Sequence, residues 1–249
     1  MASKTRLPVE TLDIPVHKIR QGFYTAKYFV RERNLLENLD YSRTVLMQVF
    51  QKRDAVLCGT DEAIAVLKLC SGYYRKPEKD YELFDRYLAW KRRIRELSVG
   101  TKNEITVNWM RDSLNERVAL EMELDSLWVN TWDRLRVRSL HDGWTISPWE
   151  TVMTIEGLPQ YFAHLESVYL GILARRTMVA TNTRRVVEAA QGKPVFFFAD
   201  RFDHYDNQSG DGYAATVGGA QSLATDAMGE WVGKEGAGTM PHALIACFD

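Results

Sequence analysis

The sequence predicts an α/β protein that has an amino-terminal α+β domain, residues 1–157, followed by the first part of an α/β (TIM-like) barrel, residues 158–249. Two observations support this prediction. The stretch 134–157 alternates apolar and polar residues, as half-buried strands do. From Leu158 onward the sequence changes to one long helical stretch followed by short apolar runs that end in small and polar residues, which is typical of parallel strands joined by helices. We therefore place the domain boundary near Gly157.

Composition indicates a globular protein without an overall attraction to nucleic acid or membranes. Hydrophobic residues make up 45% of the 249 residues, which is enough for a sizeable core. The 32 Lys and Arg residues nearly balance the 33 Asp and Glu residues, so we expect neither a nucleic-acid partner nor an anionic membrane surface. No stretch approaches the ~20 apolar residues of a spanning helix. Three cysteines without C-x-x-C spacing argue against a disulfide framework and predict a reducing, cytoplasmic location.

In the amino-terminal part, three stretches have recognisable patterns. The stretch 41–68 predicts an extended apolar run, a break, and a helix capped by Thr60 or Asp61. The stretch 78–97 carries apolar residues at spacings of three or four and predicts an amphipathic helix. The alternating stretch 134–157 contains Asp-Gly and Ser-Pro turn signals and predicts a hairpin or a pair of strands.

The carboxy-terminal part predicts a helix over 158–190, ended by Gly192, and then three buried runs: "PVFFFADR", "GGAQSLATD" and "GAGTMPH". Side chains that follow successive parallel strands of a barrel meet at one mouth. The residues in these positions are Asp200, Arg201, Thr225, Asp226, Thr239 and His242. The alternative, with about equal weight, is that they are helix caps and solvated loop charges.

Several interpretations are open for His242 and for the arginines. His242 follows Pro241 and is either a first-turn helix histidine bonded to the backbone or an acid-base or nucleophilic imidazole. No metal ligands are predicted, because "DRFDHYDNQSGDG" fails the pattern of a calcium loop and no zinc spacing occurs. Arg175 and Arg176 are candidates for phosphate binding, since guanidinium groups grip phosphate and carboxylate in a bidentate manner. Arg201 beside a Phe run suits an aromatic acid.

Five motifs in order resemble those of the nicotinate phosphoribosyltransferases, of the type II phosphoribosyltransferase family. They are "FYTAKYFVR", "ARRTMVATNTRRV", "FFFADRFDH", "GDGYAATVGGAQSLATDAMGEW" and "GTMPHALI". The resemblance runs from about residue 22 to the end. It is weakest over residues 73–138 and strongest from residue 150 onward.

The resemblance implies a pentosyltransferase of the ligase type in NAD salvage, which forms nicotinate mononucleotide from nicotinate and phosphoribosyl pyrophosphate with Mg²⁺. It implies that ATP phosphorylates His242 and that Phe198 stacks on the pyridine ring. It also implies that Arg201 meets the carboxylate, that Thr239 contacts nicotinate, and that Tyr28 is a second stacking ring from the neighbouring subunit. A homodimer with shared active sites is therefore expected.

Two departures from the family pattern affect what the resemblance implies. Ala26 stands where the family has an Asp, which weakens the bonding expected to orient Tyr28. Asp226 stands where nicotinamide-using relatives carry an Asp that meets the amide, so nicotinamide stays open as the substrate. A carboxylate there would repel nicotinate if it lay close to the acid group. A quinolinate-using relative is disfavoured by the Gly-Thr-x-Pro-His turn.

Family members run well past residue 249 and supply their ribose and 5′-phosphate contacts from that later part. The resemblance thus implies that the chain is truncated, or one piece of a split enzyme, and inactive alone. A non-catalytic subunit that binds a ligand or partner is the alternative outside the enzymes.

Overall fold

The computed structural model describes residues 6–238 and 240–248. The elements are α1 (Val16–Arg20), α2 (Lys27–Asn38), β1 (Val45–Phe50), β2 (Ala55–Val56), α3 (Thr60–Cys70), β3 (Gly72–Tyr74), α4 (Pro77–Val99), α5 (Glu104–Leu127), β4 (Trp128–Asn130), β5 (Arg136–Ser139), β6 (Thr145–Ile146), β7 (Thr151–Gly157), α6 (Glu166–Ala189), β8 (Phe196–Phe197), α7 (Gln208–Gly218), β9 (Ser222–Leu223), α8 (Asp226–Gly229) and α9 (His242–Ala246). Single 3-10 turns connect several of them. The mixture of helices and sheets confirms the α/β fold class.

A three-stranded antiparallel sheet in the order β1-β7-β5 is the centre of the amino-terminal part. The strand β7 lies between the other two and buries Val152, Met153 and Ile155 in the main hydrophobic cluster. The strands β5 and β7 pair over the stretch whose alternation predicted them, with Val137 opposite Ile155. The prediction of strands over 134–157 is therefore confirmed.

One long helix and one capping detail differ from what the sequence patterns predicted. The predicted amphipathic helix is α4, which pairs with α5, a helix of 24 residues that the patterns did not predict. The N-cap of α3 is Gly59, with φ of 95°, and Thr60 is the first helical residue. The expectation that Thr60 or Asp61 caps α3 is therefore wrong, because the Asp142 carboxylate accepts from the Thr60 N–H instead.

The helix α6 connects the two larger hydrophobic clusters. It begins at Glu166 rather than near Leu158, because two 3-10 turns occupy the residues before it, the first with a proline in its first turn. Its first half contributes Tyr169 and Leu173 to the main cluster, whereas Val179 and Ala180 pack in a second cluster with α7. The main cluster takes in residues on both sides of position 157, and the domain boundary placed there stays a prediction.

The two strands that follow α6 are parallel. Phe196 pairs with Ser222 and Phe197 with Leu223, and α7 connects β8 to β9. The third predicted run has no strand within the described residues, but the backbone N–H of Ala237 donates to the carbonyl of Leu223 at 2.7 Å. The prediction of parallel strands joined by helices is thus confirmed for two of the three runs. No helix in the described part of the chain has the length and apolar character needed to cross a membrane.

Candidate active site

The carboxyl ends of β8 and β9 lie at the same edge because the two strands are parallel. Phe198 and Arg201 follow β8, and Thr225 and Asp226 follow β9. The structure therefore brings the residues predicted after the first two runs to one edge. Phe198 is 42% exposed, so its ring is accessible to a ligand.

The guanidinium of Arg201 is almost free of protein contacts. Its side chain is 87% exposed, and its one ion pair among the described residues is with Asp200, at a long 3.9 Å from Nε to Oδ2. A guanidinium in this state keeps nearly all of its N–H donors for a ligand. The Arg201 guanidinium is therefore able to bind the carboxylate of a small acid.

After β9, the two polar side chains have structural roles. The hydroxyl of Thr225 accepts from the Met228 N–H at 3.2 Å and donates to the Gln208 Oε1 at 2.8 Å, so Thr225 is the N-cap of α8. The Oδ1 atom of Asp226 accepts from the Gly236 N–H at 2.7 Å. Asp226 thereby fastens the segment after α8, and its side chain stays exposed at the strand edge.

His242 is the first residue of α9, a helix of five residues that begins after Pro241. The imidazole is exposed and makes no hydrogen bond to another described residue. The backbone-bonded interpretation therefore has no contact to support it in the described residues. Thr239 lies outside the described residues. Tyr28, 62% exposed, packs against Phe29 on α2, and its place in a shared active site stays a prediction.

The two candidate phosphate-binding arginines are held by carboxylates of their own chain. Arg176 contacts Glu62 at 2.9 Å and Asp211 at 3.1 Å, and its guanidinium lies 5.3 Å from the centre of the Trp231 ring. Arg175 contacts Asp211 at 2.7 Å, and the hydrogen bonding that its guanidinium donates to the Asp211 carboxylate raises the pKa of Arg175. A phosphate would have to displace these carboxylates. Phosphate binding by the two arginines stays a prediction, and the observed contacts join α3, α6 and α7.

A buried polar cluster around Asp142 lies next to these ion pairs. The sequence patterns predicted only a turn at Asp142. The Oδ1 of Asp142 accepts from the N–H of Thr60 at 2.8 Å and from its hydroxyl at 2.7 Å. The Oδ2 accepts from the Tyr213 hydroxyl at 2.9 Å. Burial raises the pKa of Asp142, and burial also raises the pKa of the Cys58 thiol well above its ordinary value. Cys58 is therefore a protonated, unreactive core residue.

The resemblance implies Mg²⁺, but residues 6–238 and 240–248 contain no set of side chains that could coordinate it without other ligands. Within them, no group of three or more His, Cys, Asp or Glu side chains is arranged to hold a metal ion. The Asp211 carboxylate, the most buried acid at this edge, is already engaged by Arg175 and Arg176. The described residues thus do not fit a metal held by the protein alone.

The chain is similar to known proteins in its structure, but comparison of its sequence with known proteins gave no match. No family model matches the chain, and no characterised protein matches its sequence significantly. The structure is similar to that of nicotinate-nucleotide pyrophosphorylase from Pyrococcus furiosus, with a TM-score of 0.63 and 25% identity over 93% of this chain. It is also similar to human nicotinic acid phosphoribosyltransferase, with a TM-score of 0.58 and 17% identity over 90% of this chain.

The similarity extends over part of each of these larger proteins. This chain covers 45% of the Pyrococcus protein and 40% of the human one. In both cases nearly all of the present chain aligns. The chain therefore has the fold of the corresponding part of the type II phosphoribosyltransferases.

Proposed function

We propose that the chain is part of a phosphoribosyltransferase that forms nicotinate mononucleotide from nicotinate and phosphoribosyl pyrophosphate. The observation that carries this proposal is the pair Phe198 and Arg201 after β8, an accessible ring three residues from an exposed guanidinium whose one ion pair among the described residues, with Asp200, is long. The similarity to two phosphoribosyltransferase structures supports the same reaction class.

In this proposal the pyridine ring stacks on Phe198 while Arg201 binds the carboxylate by charge-assisted hydrogen bonds. The ring nitrogen then donates its lone pair to C1 of the ribose, and the bond from C1 to the pyrophosphate oxygen breaks with its electron pair on pyrophosphate. Holding the acid in place for this displacement is a positioning contribution. No proton has to be moved, which agrees with a site edge that offers a cation and a ring rather than a general base.

His242 has the second role in the proposal. An exposed imidazole that makes no hydrogen bond to the described residues can accept a phosphoryl group from ATP. The nitrogen attacks the γ-phosphorus, ADP leaves, and the phosphoimidazole later transfers its phosphoryl group to water. Mg²⁺ as cofactor and a homodimer that places Tyr28 in the neighbouring site belong to this proposal through the resemblance.

Nicotinamide is the second candidate substrate, because Asp226 is exposed at the same strand edge. Its Oδ1 accepts from Gly236, which leaves Oδ2 for the N–H₂ group of an amide. A quinolinate substrate would need a second free cation near Arg201, and Arg175 and Arg176 are both engaged by carboxylates. The order of preference that we propose is therefore nicotinate, nicotinamide, quinolinate.

The test is mononucleotide formation by the full-length protein with phosphoribosyl pyrophosphate, Mg²⁺ and each of the three pyridine compounds, followed by chromatography. The chain of residues 1–249 is assayed in parallel, and we expect it to be inactive. We expect nicotinate to give the highest kcat/KM. Formation of no mononucleotide from any of the three compounds would leave the non-catalytic, ligand-binding interpretation as the better one.

A further inference from the structure

A small cavity of about 150 Å³ lies between α2, β3 and the first turn of α4. Arg33, Glu37, Tyr74, Asp80 and Tyr81 are among the residues that line it. None of its lining residues comes from β8, β9 or the segments that follow them, so the cavity is separate from the candidate active site. A cavity of roughly 150 Å³ can hold one benzene-sized ring.

Two buried polar atoms at this cavity lack hydrogen-bond partners. Asp80 is 3% exposed, and its Oδ2 accepts from the side-chain amide of Gln21 at 2.7 Å, but its Oδ1 has no partner. The hydroxyl of Tyr74 is also buried without a partner. Native proteins rarely leave such atoms unpaired, because each costs free energy until a partner is supplied. The Oδ1 atom of Asp80 is therefore available to accept a hydrogen bond from a ligand donor.

Arg33 supplies the opposite kind of group. It is 7% exposed, and three of its N–H groups donate to the Asn34 side chain and the Arg20 carbonyl. A guanidinium has five N–H donors, so two are left. No carboxylate forms an ion pair with Arg33 among residues 6–238 and 240–248. The cavity therefore combines a free acceptor with free donors.

The charge balance selects for a neutral ligand. Burial raises the pKa of both Glu37 and Asp80, and the charge of Arg33 partly offsets this. An anion would meet these two carboxyl groups, and a cation would meet the Arg33 guanidinium, each at close range in a desolvated space. A neutral group with an N–H beside a carbonyl satisfies both sides at once.

We propose that this cavity is a second ligand site, which binds a small neutral amide or lactam of about one ring. The ligand N–H donates to the free Oδ1 of Asp80, and its carbonyl accepts from Arg33 or from the Tyr74 hydroxyl. The walls formed by Tyr81 and its neighbours contact the apolar part of the ring. This inference does not depend on the proposed transferase activity.

The test uses the 249-residue chain and 2-pyrrolidinone, a five-membered lactam, titrated by saturation-transfer NMR. Cyclopentanone, which has the same shape and carbonyl but no N–H, is the matched control ligand. We expect saturable lactam binding at least about 10-fold tighter than ketone binding, because the ketone leaves Asp80 Oδ1 unpaired.

Two variants locate the site. Tyr74→Phe removes one donor, and we expect it to weaken lactam binding about 3- to 10-fold. In Asp80→Asn, the amide oxygen can keep the hydrogen bond from Gln21, and the N–H₂ group then faces the lactam N–H. Because two donors then face each other, we expect the lactam affinity to fall about 10-fold or more. Tyr169→Phe, a core tyrosine outside the cavity, should bind like wild type.

Lactam and ketone affinities that are equal, or no saturable lactam binding by the wild-type chain, would overturn the proposal. Unchanged affinity in both folded variants would overturn it too, since the lactam would then sit elsewhere. If a variant does not fold, the preference of the wild-type chain for lactam over ketone still decides.

Discussion

The Tyr213 hydroxyl donates a hydrogen bond of 2.9 Å to Asp142 and thereby joins α7 to the turn between β5 and β6. The same carboxylate accepts two hydrogen bonds from Thr60 at the start of α3. One buried acid thus holds together three segments that are distant in sequence. Because α7 also carries Asp211, the partner of Arg175 and Arg176 in α6, Asp142 helps to position the ion pairs beside the candidate site.

The first prediction concerns this contact. Tyr213→Phe removes a hydrogen bond to a buried carboxylate, so we expect the free energy of unfolding to fall by about 1.5 to 3 kcal/mol. Urea unfolding measures this difference. Tyr205→Phe is the matched control, because Tyr205 is 72% exposed and we expect a change within about 0.5 kcal/mol. Equal effects of the two substitutions would mean that the contact contributes nothing to stability.

A second prediction compares two helical glycines. A Cβ on Gly210 in α7 would occupy the space of the Arg176 guanidinium, which Glu62 and Asp211 hold in place. We expect Gly210→Ala to destabilise the protein by at least about 2 kcal/mol, since it breaks partly buried ion pairs. Gly171 in α6 has no atom within 4 Å of an added Cβ. Gly171→Ala should therefore stabilise by about 0.5 to 1 kcal/mol through helix propensity.

Thermal or urea unfolding of both variants tests the comparison. Stabilisation by Gly210→Ala would show that the Arg176 side chain moves away without cost, and that its ion pairs do not stabilise the fold.

The third prediction is a pH dependence that originates at His164. This residue is fully buried, its Nε2 lies 3.2 Å from the Cys70 carbonyl, and burial together with the charge of Arg33 lowers its pKa to about 3. The unfolded chain takes up this proton near pH 6.5, so the unfolded state binds more protons between pH 6.5 and about 3. Stability supplied by His164 is therefore complete above pH 6.5 and is lost as the pH falls.

We expect wild type to lose about 1.4 kcal/mol per pH unit relative to His164→Gln between pH 6 and pH 4. Glutamine does not titrate and can still donate to the Cys70 carbonyl. Above pH 7.5 the difference between the two proteins should be constant, which serves as the internal control. A difference that stays constant down to pH 4.5 would show that the folded protein admits a charged His164.

Much of the fold could be predicted from local patterns, and the exceptions have physical causes. The strands around Val152 were predictable because one buried face imposes alternation. The helix α5 was not, because it buries Ser113, Leu120 and Leu124 while it exposes Val118. Apolar residues on two faces blur the helical period.

The candidate site was predictable only in part, for a related reason. The parallel pairing of β8 and β9 brings Phe198, Arg201 and Asp226 to one edge, as the runs of sequence indicated. The role of Asp142 depends on Thr60 and Tyr213, which are 82 and 71 residues away in sequence. A local pattern contains no information about such partners, and it could not show that carboxylates engage Arg175 and Arg176.

The fourth prediction concerns Arg201. Its side chain is 87% exposed, so Arg201→Ala should leave the unfolding transition unchanged. Under the proposed function it should lower kcat/KM for nicotinate about 30- to 1000-fold, because a guanidinium bond to the substrate carboxylate is lost. Arg53→Ala, which removes another exposed arginine that is not a predicted site residue, is the control and should keep full activity. An unchanged kcat/KM for nicotinate in Arg201→Ala would remove this residue from the site.

Asp226→Ser is the companion variant for substrate choice. Faster use of nicotinate would mean that the Asp226 carboxylate opposes the substrate acid. Loss of a nicotinamide activity would instead favour nicotinamide as the substrate. Because Asp226 also accepts from Gly236, the unfolding transition of this variant has to be measured beside its activity.

The last prediction concerns His242 and separates a phosphoryl acceptor from a general base. If His242 accepts phosphate, the full-length protein incubated with γ-labelled ATP should take up a label that is labile in acid and stable in base, as a phosphorus–nitrogen bond is. His242→Ala should take up none. His204→Ala, which removes another exposed histidine of the carboxy-terminal part, should be labelled like wild type.

The kinetics of His242→Ala then distinguish the two roles. Under the proposed function, phosphorylation of His242 acts on substrate binding and on the equilibrium, so the variant should keep a slow synthesis that is independent of ATP, with raised KM values. Loss of a general base would instead lower kcat about 10²- to 10⁴-fold. A label that persists in His242→Ala would show that another residue accepts the phosphate. Full ATP-stimulated activity without any label would reduce His242 to a surface residue of a short helix.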